Sequence, residues 1–197
     1  MPRCRRRRER AQPTPKLKRE KSGMARRVAV VLAGCGFLDG SEIHESVFTL
    51  LAIDRAGVRY QVFAPDKPQK DVIDHHRQRD TEEERNVLVE SARIARSDAK
   101  PLSGLKMEEY DALIMPGGYG AAKNLVDYAS QAAECSIDPH VERVLKEAHA
   151  MRKPIGAICI APVIVARALG KEHHPVLTIG TDTATAGDIE TMGGRHR

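Results

Sequence analysis

A chain of 197 residues, 41% hydrophobic and 30% charged, can bury one substantial core but is too short for two domains of ordinary size. Its formal net charge of +5 is unevenly placed, because residues 1–27 hold twelve Lys or Arg against two Glu, leaving 20 basic and 25 acidic residues for the rest. No apolar run reaches bilayer length, and Cys4, Cys35, Cys135 and Cys159 show neither CxxC spacing nor a paired framework, which excludes the membrane-spanning, disulfide-scaffold and zinc-ribbon classes.

Residues 1–24 carry the dense run Arg5-Arg6-Arg7-Arg8 and almost nothing to bury, so a disordered basic tail is expected, followed by one domain over 25–197. A solvated tail, or a true start at Met24, is the plain reading. A nucleic-acid arm is disfavoured beyond weak contact, since no aromatic residue is interleaved to stack on bases. The basic start is followed by no secretory apolar stretch, and reduced thiols point to the cytoplasm. An Arg-rich, acid-poor segment is also compatible with a mitochondrial transit peptide, although it lacks an amphipathic apolar face.

From Val28 to Ala33 an unbroken apolar run reads as a strand buried on both faces of a parallel sheet. Asp39-Gly40-Ser41 offers a turn and a helix cap, and Ile43, Val47, Leu50, Leu51 and Ala52 recur at helical spacing until Gly57. Tyr60–Ala64 gives a second strand and completes a βαβ unit. Residues 66–105 are polar and read as an insertion over the sheet edge, with a helix predicted from Glu82 to Arg96. A third strand over Ala112–Met115 ends in Pro116-Gly117-Gly118, and a helix follows through Val141, Val144, Leu145 and Ala148. A fourth strand, Pro154–Ile158, runs straight into Cys159, with a short helix from Ala161 to Leu169 and a further strand over Val176–Ile179.

In open α/β sheets, ligands bind beyond the carboxyl ends of the strands, and three motifs fall there. Cys159 sits between a strand and a helix start, where the helix dipole favours the thiolate and the N–H of Ile160 can face a developing oxyanion. A structural cysteine is the bland alternative. Pro116-Gly117-Gly118-Tyr119-Gly120 lets the backbone approach a ligand, or serves only as a tight turn. Glu45, near the start of the first helix, can share a proton with a cysteine or act as a base, while Glu42 suits a capping role. His44, His75 and His76 read as surface groups, and no spacing supports a metal.

Taken together, Gly34-Cys35-Gly36, Asp39-Gly40-Ser41-Glu42-Ile43-His44-Glu45, Pro116–Leu125 and Cys159-Ile160-Ala161-Pro162 closely resemble the ElbB-type family, within the class I glutamine amidotransferase-like and PfpI-like superfamily. The resemblance runs from about Met24 to Met192. It implies a flavodoxin-like three-layer sandwich with a mostly parallel sheet, a homodimer, a link to isoprenoid biosynthesis, and glyoxalase chemistry on small 2-oxoaldehydes without glutathione or any cofactor. It assigns Cys159 as nucleophile and Glu45 as proton partner, with Gly117, Gly118 and Ile160 binding the oxygen that gains charge. Cys35 follows the first strand and is a candidate second thiol at the same edge.

Several departures narrow the chemistry. Ala157 and Ala161 stand where amidotransferases prefer glycines beside the cysteine, and Ile160 stands where PfpI-like proteases place a histidine. The stretch Leu177–Asp182 holds no histidine, and His173 and His174 precede it, so a Cys-His-acid triad is not expected. The chain ends at Arg197, where relatives of this kind continue, so the domain is expected to be truncated at its C-terminus. Two further classes stay open: a non-catalytic redox sensor in which Cys159 is oxidised, and an amidotransferase-like subunit.

Overall fold

A computed structural model of the chain describes residues 26–197, so the basic tail expected over 1–24 lies outside the described residues. In chain order the elements are β1 (Arg27–Val31), α1 (Ile43–Arg55), β2 (Arg59–Ala64), β3 (Ile73–Asp74), β4 (Arg79–Asp80), α2 (Val87–Ile94) and β5 (Ala99–Pro101). They continue with β6 (Ala112–Met115), α3 (Tyr128–Gln131), α4 (Pro139–Ala150), β7 (Ile155–Ala157), α5 (Pro162–His173), β8 (Val176–Leu177), α6 (Thr183–Thr191) and β9 (Arg195–His196).

The central sheet has five strands in the order β5-β2-β1-β6-β7, and every pairing in it is parallel. β1 shows why the fold has three layers. Val28, Val30 and Leu32 pack with Leu50 and Ile53 of α1, whereas Ala29, Val31 and Ala33 join the larger core with Val141, Val144 and Leu145 of α4 and Ile164 of α5. Each Val, Leu or Ile among them contributes roughly 1.5–3 kcal/mol when fully buried, so alternation along one strand drives helices onto both faces. From β1 the chain builds outward through β2 and β5 on one side and β6 and β7 on the other, so the order reverses between β1 and β6. That is the place where such sheets open a ligand crevice.

Three expectations need correction. Residues 66–105 are not an insertion: the helix is shorter, capped by Asn86, whose side chain accepts from the Val89 N–H, and it leads into β5, the edge strand of the main sheet. Only the β3–β4 hairpin stands apart. The expected inward face of α1 is also rotated. Ser46, Leu50 and Ile53 are buried, while Ile43, Val47, Phe48 and Leu51 are exposed. Ser46 tolerates burial because its hydroxyl donates to Glu42 O at 2.7 Å. Finally, Val176–Leu177 is a strand, yet it pairs with β9 in a separate two-stranded sheet.

Candidate functional site

The chain leaves β7 through Ile158, whose N–H donates to Met115 O at 3.0 Å, and turns at once into α5, with Pro162 at its start. The turn is made by Cys159, which holds φ at +58°. A non-glycine residue in this region carries a cost of about 1–2 kcal/mol, and the conformation lifts its side chain clear of strand and helix. Cys159 is accordingly exposed at the sheet's carboxyl edge, as its place in the sequence predicts.

The glycine-rich turns meet it at van der Waals range. A Cβ at Gly117 would lie 2.5 Å from Cys159 Cβ, 2.8 Å from Ile158 O and 2.9 Å from Glu45 Oε2. A Cβ at Gly118 would strike Glu42 N at 2.4 Å, and one at Gly120 would strike the Gly40 backbone at 2.3 Å. The turns after β1 and β6 are therefore interlocked, with Glu42 N donating to Gly117 O at 2.9 Å and Gly120 N donating to Gly40 O at 2.9 Å. Behind them, Ser41 accepts from Ala33 N, and Asn124 donates to both Ala33 O and Asp39 O. Ser41 is thus an internal brace. The cap of α1 is Glu42, which accepts from Glu45 N at 2.7 Å.

This framework aims Glu45 at Cys159. The Glu45 carboxylate accepts the Gly117 N–H at 2.8 Å through Oε2, and a Cβ at Gly117 would touch both that oxygen and Cys159 Cβ. Burial of the sulfur pushes the Cys159 thiol pKa up, and the Glu45 charge and hydrogen bond push it further. The backbone N–H groups of Gly118 and Ile160 pull it down without reversing the shift. The net shift is upward, opposite to the thiolate-favouring direction expected from the helix start. A second correction concerns Gly117. Its N–H donates to Glu45 Oε2 at 2.8 Å, while the amides of Gly118 and Ile160 lower the Cys159 thiol pKa.

A cavity of about 320 Å³ opens beside Cys159, lined by Phe37, Glu42, Gly118, Tyr119, Ile160 and Ile179. Phe37, Tyr119 and Ile179 were not singled out from sequence. The only available hint was large apolar residues in otherwise glycine-rich or polar loops. Glu42 stands at the rim with His44 at 2.9 Å; burial works against its charge, but the Glu45 amide and His44 prevail and hold its pKa below the usual carboxylate range. His44 is exposed, and His75 instead braces the loop after β1 by accepting from Leu38 N at 3.3 Å. Among the described residues no histidine lines the cavity, and no group of His, Cys, Asp or Glu could hold a metal ion. Cys35 lies at the same sheet edge but outside the cavity lining. Burial and then the Glu90 charge raise its pKa, with Arg93 opposing.

Comparison with known proteins agrees with this fold. The sequence model described as the DJ-1/PfpI family matches residues 26–178. The human protein named glutamine amidotransferase-like class 1 domain-containing protein 3, mitochondrial, is 47% identical over 87% of this chain and 67% of its own length. The rat ES1 protein homolog, mitochondrial, is 45% identical over 86% of this chain and 66% of its own. The chain thus spans about two thirds of these curated relatives. A crystal structure of an isoprenoid biosynthesis protein with amidotransferase-like domain from Ehrlichia chaffeensis superposes with a TM-score of 0.80 at 42% identity, covering 87% of this chain and 78% of that one.

Proposed function

The chain belongs to the DJ-1/PfpI family, and on that premise we propose that it is an ElbB-type, glyoxalase-like enzyme that converts small 2-oxoaldehydes to 2-hydroxy acids with Cys159 as nucleophile. The observation that carries this reading is Glu45 set against Cys159 across Gly117, where an added Cβ would lie 2.5 Å from Cys159 Cβ and 2.9 Å from Glu45 Oε2, with the amides of Gly118 and Ile160 on the side that lowers the thiol pKa. As sulfur bonds to the aldehyde carbon, the thiol proton passes to Glu45 and the carbonyl electron pair becomes an oxyanion, which the amides stabilise until it is protonated. Glu45, once deprotonated, takes the hydrogen from that carbon. The electrons move through an enediol to the neighbouring carbonyl, and reprotonation at the second carbon leaves a thioester. Water cleaves it, releasing the hydroxy acid and restoring the thiol. The net change is addition of one water, so no cofactor is called for.

The amidotransferase reading lacks support at the site, because no described histidine reaches the cavity. The redox-sensor reading gives Glu45 no part to play, whereas addition to a carbonyl uses its carboxylate as proton acceptor. We further propose a homodimer, supported by the exposed apolar stripe of Ile43, Val47, Phe48 and Leu51 on α1. A mitochondrial location is favoured over the cytoplasm by the names of the human and rat relatives together with the Arg-rich, acid-poor start. A part in isoprenoid biosynthesis rests only on the name of the Ehrlichia protein. The test is methylglyoxal consumption by the purified chain. It should scale with protein and disappear in Cys159→Ser; equal slow consumption by both proteins removes the enzymatic reading.

A further inference from the structure

The walls of the cavity say more about its ligand than the sulfur does. Phe37 and Tyr119 keep 43% and 56% of their surface exposed. Tyr119 N donates to Phe37 O at 2.8 Å, tying the two loops together. The Phe37 ring stands edge-on to His75 at 5.4 Å between centroids, and His75 is fixed in turn by Leu38 N and by Ile73 O at 3.0 Å. Ile160 and Ile179 complete the apolar lining. The one charged side chain in the lining, Glu42, already accepts from Glu45 N and pairs with His44, so it offers little to a ligand. A ring-lined cavity of about 320 Å³ lies at the lower end of the usual range for organic ligands, and methylglyoxal fills a small part of it.

We propose that the group this site accepts beside the reacting carbonyl is bulky and apolar, an aryl or branched-alkyl residue, and that Phe37 and Tyr119 select it over a methyl group. The proposal rests on the reading of Cys159 as the nucleophile toward 2-oxoaldehydes and names the substrate class. The Phe37 ring is seated against His75, so an apolar group entering the cavity stacks on a wall that is already placed.

The experiment compares alkylation of Cys159 by iodoacetamide and by N-benzyl iodoacetamide, followed by intact mass and peptide mapping. It uses the wild-type chain, Phe37→Ala and Tyr119→Ala. Both substitutions are at exposed side chains, so the fold is retained. The benzyl reagent should label Cys159 about tenfold faster than its parent, an advantage of the size apolar pockets give for a few carbons. It should shrink to about twofold in either variant. Phenylglyoxal should likewise be consumed with the higher kcat/KM than methylglyoxal. Equal labelling by the two reagents, or methylglyoxal turned over at least as well as phenylglyoxal, overturns the inference and leaves the glyoxalase reading standing. A benzyl preference with neither aldehyde consumed removes the glyoxalase reading and keeps the pocket assignment.

Discussion

Cys159 and Cys35 both follow a strand of the same parallel sheet at the same edge, yet they sit in opposite surroundings. Cys159 turns through φ +58° into α5, lies open to a cavity, and meets Glu45 and the amides of Gly118 and Ile160. Cys35 is half-buried, its charged surroundings dominated by Glu90 and Arg93 of α2. Burial and a carboxylate raise both thiols, but only Cys159 has amide donors aimed at its sulfur. Position at the carboxyl edge is therefore insufficient. On the proposed reading, what sets Cys159 apart is a positive-φ elbow that exposes it and a carboxylate beside it.

The comparison is broken most directly by paired serine variants. Cys159→Ser should lower oxoaldehyde turnover by about a thousandfold, the scale of losing a nucleophile. Cys35→Ser should stay within about twofold, with both read as kcat/KM under identical folding controls. Comparable losses would erase the distinction between the two thiols. Next in size is Gly117→Ala. The added methyl would press on Cys159 Cβ, Ile158 O and Glu45 Oε2, all within 2.9 Å. Overpacking of this kind costs about 1–3 kcal/mol in denaturant melts, and displacement of the reacting pair costs about a hundredfold in turnover. The smallest effect belongs to the rim. Glu42 is held below its ordinary pKa, so its contribution is present above that value and is lost as pH falls through the folded one. Because His44 is largely exposed, Glu42→Gln should narrow the acid-unfolding curve by only about 0.5 kcal/mol and leave Cys159 labelling unchanged.

The legible parts of the sequence were those where one physical force acts alone. Val28–Leu32 announces a doubly buried strand because apolar burial on both faces leaves no other residue type, and Pro139 at the start of α4 fixes a helix start. The elbow at Cys159 and the nearby Glu45 followed from strand-then-helix order. β5 was not legible: Ala99-Lys100-Pro101 is a three-residue edge strand, where one free side and a terminal proline remove the apolar signature. α6 was missed as well, since its Thr-Ala-Thr-Ala-Gly start has weak helix preference and buries only Ile189. The inward face of α1 was not legible, because Ile43, Val47 and Leu51 satisfy helical spacing as well as Leu50 and Ile53 do, and the packed sheet decides between them. Site electrostatics were hidden for a related reason. The Gly117 amide is committed to Glu45 by a contact across 72 positions, which no local pattern encodes.

Whether Glu45 is the proton partner of Cys159 is tested in one measurement by a pH profile of iodoacetamide labelling at Cys159. The wild-type midpoint should lie above the ordinary thiol value of 9.0. In Glu45→Gln the carboxylate charge is gone, so the midpoint should fall and labelling at neutral pH should accelerate by about threefold or more, while oxoaldehyde turnover drops by about a hundredfold. Identical midpoints in the two proteins, or a higher one in Glu45→Gln, would contradict that role.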